Sequence, residues 1–186
     1  NMKNLSEEEK LDLKSINLLT SKPQLYVCNV CEEDVVNGND LTKKLNLQFH
    51  NEETKVILIS SLIESEISIL NNEDKTIFLN DLGLKETGLT KLIKSGYDLL
   101  NLITFFTSGS KESRAWTLKN GLTAPNAAGK IHSDFEKGFI RAETISYQDF
   151  FQFNGEQGAK DAGKLRIEGS EYIVKDGDIF NFRFNV

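Results

Sequence analysis

Proline, cysteine and histidine are scarce here: two of each occur in 186 residues, with one methionine and one tryptophan. Two cysteines in so long a chain give no disulfide framework, so a reducing compartment is expected and the expected localisation is cytoplasmic. A structural zinc needs four ligands, usually in closely spaced pairs. Cys28-x-x-Cys31 is one pair, but His50 and His132 are far apart in sequence and complete no set. No run approaches the roughly 18 apolar residues that a membrane span needs. The longest compact apolar run, Val56-Ile57-Leu58-Ile59, is strand-sized. The first residues are polar and acidic, so no secretory leader is expected. The opening Asn1-Met2 suggests a scar, or a chain cut from something longer.

What is present is the composition of a folded protein, 39% hydrophobic and 27% charged. The net charge of −6 is uneven. Residues 1–101 hold 11 Lys+Arg against 17 Asp+Glu, whereas residues 102–186 hold 11 of each. An acidic first half argues against nucleic acid as its partner; the neutral second half leaves room for a local basic face.

Residues 1–20 read as a helix opened by the capping box Ser6-x-x-Glu9, with Pro23 just past its end. Leu25–Cys28 and Val56–Ile59 are apolar throughout. Between them Asn39–Phe49 carries Leu41, Leu45 and Phe49 at helical spacing. Strand, helix, strand with fully apolar strands is the pattern of a parallel βαβ unit, right-handed by rule. Three amphipathic helices are predicted next, over Leu62–Leu70, Asp74–Leu82 and Leu89–Leu100. From Leu102 the texture becomes β-rich. Strands are predicted at Leu102–Thr107, Ser113–Leu118, Phe139–Tyr147, Leu165–Ile167, Tyr172–Val174 and Asp178–Phe184. Helices are predicted at Pro125–Ile131, with Thr123 as N-cap, and at Gln148–Phe153. The expected fold is therefore an α/β part, residues 1–101, with two parallel strands plus helices, followed by an α+β ubiquitin-like β-grasp domain, residues 102–186.

One stretch, Tyr26-Val27-Cys28-Asn29-Val30-Cys31-Glu32-Glu33-Asp34, holds both cysteines and the pattern Asn29-x-x-Glu32. The negative charge after Cys31 disfavours a thiolate, so the plain reading makes Cys28 a buried strand residue and Cys31 an incidental loop residue. A thiol or metal protein is the competing class. The Asn-x-x-Glu pattern is chemically richer. In GTPase-like folds an Asn-Lys-x-Asp loop reads guanine, the aspartate accepting from N1–H and the 2-amino group. Glu32 moves the carboxylate out by one methylene and spoils that match, while Val30 can still cover a ring face. Ligands of parallel sheets sit beyond the carboxyl ends of the strands, which brings Asn29–Glu32 and Ser60-Ser61 to one rim.

A long ordered series of motifs gives the C-terminal part a specific resemblance. It comprises Leu102-Ile103-Thr104-Phe105-Phe106-Thr107, Arg114-Ala115-Trp116, Thr123-Ala124-Pro125 and Ala127-Ala128-Gly129-Lys130-Ile131-His132. Further on come Asp134 to Glu143, Gly155-Glu156-Gln157-Gly158-Ala159-Lys160, Asp176-Gly177-Asp178 and Phe182 to Val186. The sequence resembles the YchF-type subfamily of Obg-like P-loop NTPases, ending in that family's TGS domain, a β-grasp module. Gly83-Leu84, Gly88-Leu89, Gly96-Tyr97 and Lys22-Pro23 extend the likeness over nearly the whole chain.

The resemblance implies a purine-nucleotide protein using ATP or GTP with magnesium, with Asn29, Val30 and Glu32 in one base loop and Ser60 in the other. It implies ribosome or RNA contact through the TGS domain, for which Lys111, Arg114, Lys137 and Arg141 are the candidate face. Residues 1–20 would then end the family's helical insertion. The departure is large: G-x-x-x-x-G-K-[ST] occurs nowhere. Without that phosphate cradle nothing here holds the β- and γ-phosphates, so hydrolysis by this chain alone is not expected and nucleotide binding should be weak. Two parallel strands also leave an apolar edge, covered by the helix at 6–19 or by self-association. A free-standing β-grasp interaction module without a nucleotide role is the alternative. Trp116 is read as core, His132 as a helix-end residue, and no metal site or membrane partner is expected.

Overall fold

The computed structural model describes residues 6, 9, 12, 15–49, 54–109 and 112–185. Among them two compact units form, Asn1–Leu99 and Leu100–Val186. No described helix is long and apolar enough to cross a membrane.

Unit 1 is built on strand β1 (Gln24–Asn29), helix α1 (Asp40–Gln48) and strand β2 (Thr54–Ile59). The strands pair in parallel, from Gln24 opposite Thr54 to Asn29 opposite Ile59. Asn39 starts α1 with a reciprocal cap. Its side-chain oxygen accepts from the Leu41 and Thr42 N–H groups, and Thr42 Oγ1 accepts from the Asn39 N–H. Three helices follow: α2 (Ser61–Ser68), α3 (Asn72–Asp81) and α4 (Gly88–Leu99). Val35, Ile63, Ile67, Leu79 and Leu84 form the buried cluster. Helix α4 packs along both strands. It begins flush against β2: a Cβ at Gly88 would lie 2.8 Å from Ile59 Cγ2, a contact that only glycine avoids. Most of the helix expected over residues 1–20 lies outside the described residues, as does any cover it gives the sheet edge; its end comes earlier than expected, since Asn17 has a left-handed φ of 57° and Leu19–Ser21 is a separate 3₁₀ turn. Its capping box is described: Ser6 N–H donates to Glu9 Oε2 at 2.8 Å and Glu9 N–H to Ser6 Oγ at 3.3 Å.

Unit 2 opens with the hairpin β3 (Leu102–Ser108) and β4 (Ser113–Lys119). Helices α5 (Ala124–Ile131) and α6 (Ser133–Lys137) come next, then β5 (Phe139–Ser146), α7 (Tyr147–Gln152), α8 (Glu156–Asp161), β6 (Arg166–Glu168) and β7 (Asp178–Phe184). The sheet order is β4-β3-β7-β5-β6. Only β3 and β7 run parallel; the other neighbours are antiparallel. One face of this sheet and α5 enclose the core. Phe105 and the α5 alanines 124, 127 and 128 are fully buried, with Leu118, Val174 and Phe180 nearly so. Alanines at these α5 positions let the helix lie close on large rings.

Unit 2 departs from the expected elements at three places. Tyr172–Val174 is not a strand; it makes a single bridge, Thr123 opposite Ile173. Its apolar side chains line a loop held by Asp178 instead. Helices α6 and α8 went unpredicted, because five and six residues are too short to show a helical period.

Candidate functional site

At the carboxyl ends of β1 and β2 the chain leaves the sheet twice, and the two exits are bonded together. Asn29 Oδ1 accepts from both the Ser61 N–H and the Ser61 hydroxyl, each at 3.0 Å. Val30 N–H donates to the Ile59 carbonyl at 2.9 Å. Ser60 is buried and stands as N-cap of α2, though its side chain makes no cap bond. Asn29 is exposed at this rim, and its amide oxygen, with two lone pairs, is fully used by the two Ser61 donors.

Val30 is half-buried and packs on the Ile63–Leu84 cluster. With its side chain and its N–H both engaged, it anchors the loop. Glu32 is exposed and opens a 3₁₀ turn, Glu32–Asp34. Asn39 Nδ2 donates to Asp34 Oδ2 at 2.8 Å, closing the loop back onto α1. Sequence reasoning overlooked Glu64. Its carboxylate accepts from the Gly88 N–H at 2.6 Å and the Leu89 N–H at 3.2 Å, so it caps α4 and fixes α2, the helix that Ser60 starts, to its neighbour. Cys28 is half-buried in β1 and Cys31 exposed, both free. The described residues contain no cluster of three His, Cys, Asp or Glu able to hold a metal.

The family model YchF-GTPase_C, "Protein of unknown function (DUF933)", matches residues 102–185. The Ribosome-binding ATPase YchF of Bacillus subtilis (strain 168) is 52% identical over 183 residues, which is 97% of this chain and 50% of the relative. The Ribosome-binding ATPase YchF of Haemophilus influenzae is 54% identical over 182 residues, 98% of this chain and 50% of the relative. The solved Schizosaccharomyces pombe YchF GTPase superposes with a TM-score of 0.81 at 35% identity, covering 97% of this chain and 48% of that one.

This chain belongs to the YchF-type family and matches its C-terminal half. It spans about half the length of the relatives it matches.

In unit 2 of this YchF-type chain two members of the expected basic face, Arg114 and Arg141, fall on opposite faces of the sheet. Arg114 lies opposite Thr107, Thr107 opposite Phe180, and Phe180 opposite Thr144. These four share the core face, because directly paired residues point the same way. Arg141 pairs with Arg183, one step out of phase with Ala142–Phe182, and so points to the other face. Lys137 ends α6 and is exposed; Lys111 lies outside the described residues.

Arg114 lies over the Trp116 ring at 4.3 Å. Trp116 is half-buried against the core, and its Nε1–H donates to Thr107 Oγ1 at 3.0 Å. His132 ends α5 and caps α6, its Nδ1 accepting from the Asp134 N–H at 3.2 Å. On the outer face Glu143 takes a forked pair of bonds from Arg183, at 3.1 and 3.0 Å. Those bonds hold its carboxyl below the usual range; the nearby charges of Arg183, Arg141 and Lys160 add to this against a modest burial cost. The spacing Arg141-x-Glu143 in a strand was the overlooked signal, since alternate residues share a face.

Proposed function

We propose that this chain is the C-terminal part of an ATP- or GTP-binding protein, combining a purine-base rim in unit 1 with a ribosome-contacting module in unit 2. The observation that carries the reading is the Asn29–Ser61 clamp. It joins the two strand-end loops at the place where parallel sheets present ligands. In this reading the Asn29 amide and the Glu32 carboxylate face the base edge, Val30 supports the loop and Ser60 sets the second one. The base-side residues suit a purine. The sequence holds no phosphate loop, so ATP or GTP would find a few base contacts here, and magnesium would be held by residues of the longer protein. Hydrolysis is accordingly assigned to the longer protein.

We read unit 2 as a TGS-type β-grasp domain. Its mixed five-stranded sheet with α5 across one face supports this. The YchF relatives are ribosome-binding by name, and the ribosome or its RNA is the partner proposed here, in the cytoplasm. The half-covered β1–β2 pair supports the further reading that this edge meets another protein segment or a second copy.

Calorimetric titration tests the nucleotide half. Weak binding of ATP or GTP, indifferent to magnesium, is the expected result; tight, magnesium-dependent binding by this chain would overturn the assignment. In a longer chain carrying a phosphate loop, Glu32→Asp is expected to shift preference toward guanine by shortening the carboxylate. An unchanged preference would remove Glu32 from the base site.

A further inference from the structure

All four arginines of the chain lie in unit 2. Arg166 is bonded to Tyr172 and Asp178 at 3.2 and 3.3 Å. Arg114 rests on Trp116 on the core side of the sheet edge. The remaining two, Arg141 and Arg183, stand directly opposite each other on the outer face of β5 and β7. Like charges placed so destabilise a sheet, and a fold that retains such a conflict commonly does so at a functional site.

One carboxylate answers the pair. Glu143 is gripped by the Arg183 fork, the strongest geometry a guanidinium and a carboxylate can form. Arg141 is left over. Its Nη2 lies 3.7 Å from Glu143 Oε1, beyond hydrogen-bond range, and it donates to no other side chain among the described residues. Both arginine side chains stay about half exposed, at 50% and 52%. Lys160 and Glu156 also act on this pair. The local balance is three cations, Arg141, Arg183 and Lys160, against two carboxylates. Asn181 sits directly opposite Glu143 on the same face, adding a neutral hydrogen-bonding group beside the surplus charge.

We propose that the polar end of this outer face binds the phosphodiester backbone of RNA, with Arg141 as the phosphate contact and Arg183, engaged by Glu143, as the second cation beside it. The proposal rests on the ribosome-contact reading and gives it a surface and a chemistry. A guanidinium with free planar donors matches a phosphate oxygen pair. Ile145 and Ile179 on the same face are buried, so the contact is confined to its polar end, Arg141, Glu143, Arg183 and Asn181, where phosphate contacts position a backbone without reading bases.

The test uses the full chain with two probes, purified ribosomes and a labelled 20-nucleotide single-stranded RNA, and a polyglutamate peptide as competitor. Arg141→Gln is expected to weaken RNA binding by roughly three- to tenfold and to reduce the slope of log K against log salt by about 0.7 to 1. Glu143→Gln frees Arg183 and is expected to strengthen binding. Arg114→Gln, on the opposite face, is expected to change neither value. Thermal unfolding of each variant separates a lost contact from a lost fold. Binding to ribosomes and RNA that Arg141→Gln leaves unchanged would overturn this face alone and spare the ribosome reading. Failure of the parent chain to bind ribosomes would overturn that reading. Preference for polyglutamate over RNA would overturn the RNA assignment in favour of an acidic protein partner.

Discussion

The last strand of unit 2 and the second strand of unit 1 make opposite use of similar apolar sequence. In β7, Asp178, Ile179, Phe180 and Phe182 are buried, and Phe180 meets Phe105, Phe182 and Tyr172 ring to ring. In β2 every residue from Thr54 to Ile59 is only half-buried, and Val27 beside it on β1 is 41% exposed. A parallel Val/Ile-rich pair is normally covered on both faces. Unit 2 covers both sheet faces: α5 closes the main core on one, and on the other α7 packs on β5 and β7, where Ile145 and Ile179 are buried. Unit 1 packs α4 along its strands, yet the described residues leave those strands partly open. Unit 2 therefore has the makings of an independent folding unit, whereas unit 1 has apolar strand surface to offer a partner.

The largest expected effect tests that contrast directly. Phe105→Ala removes a fully buried ring that meets Trp116, Phe180 and Phe182 and is expected to cost about 3–5 kcal/mol. Val27→Ala, in the open strand, should cost under about 1 kcal/mol. Trp116 is the only tryptophan and reports unit 2 alone in a urea titration. Equal losses from the two substitutions, with unit 1 followed by far-ultraviolet dichroism, would erase the distinction.

Asn29→Ala comes next. It strips Ser61 of its acceptor, but Ser61 is exposed and its donors can turn to water. The expected cost is about 1 kcal/mol, seen as faster amide exchange at Ser61 while Trp116 unfolding is unmoved. Unchanged exchange would mean that the clamp does not join the loops in solution.

Much of this architecture was legible because it is written in local pattern. The apolar runs at 25–28 and 56–59 form strands extended by a residue or two, and the strand over Asp178–Phe184 has the predicted ends. What the sequence concealed needed information from a distance. Arg114 and Arg141 each alternate correctly within their own strands. Whether they share a face depends on register passed through β3 and β7, which no local pattern encodes. Tyr172–Val174 has strand composition, but Tyr172 Oη donates to Asp178 Oδ2 at 2.8 Å and the Lys175 N–H donates to the same oxygen at 2.9 Å. A buried carboxylate at the start of β7 thus organises the loop by side-chain bonds that override strand propensity. Where β1 and β2 end, the meeting of Asn29 with the Ser60-Ser61 loop was readable. The engagement of Val30 with the core and the role of Glu64 were not, because both depend on helices packed from later in the chain.

The smallest effects concern pH, and they sharpen the same comparison because both named groups belong to unit 2. Glu143 has a lowered pKa, through Arg183's bond first, so the stability it contributes is present above the ordinary carboxyl value near 4.5 and is lost as pH falls through the lowered one. Tyr172 is pushed up to about 12 by burial, then by its bond to Asp178 and that group's charge. Its contribution is complete below the ordinary value of 10.0 and is lost as pH rises from there through about 12, since the unfolded chain ionises first. Trp116-monitored unfolding of Glu143→Gln should differ from the parent at pH 7 and converge with it in acid. Tyr172→Phe should be less stable at pH 7, for want of the bond to Asp178, and show a flatter alkaline limb. An alkaline limb as steep in Tyr172→Phe as in the parent would show that Tyr172 ionises no later in the folded protein than in the unfolded one, and that the Asp178 network does not close the loop as drawn.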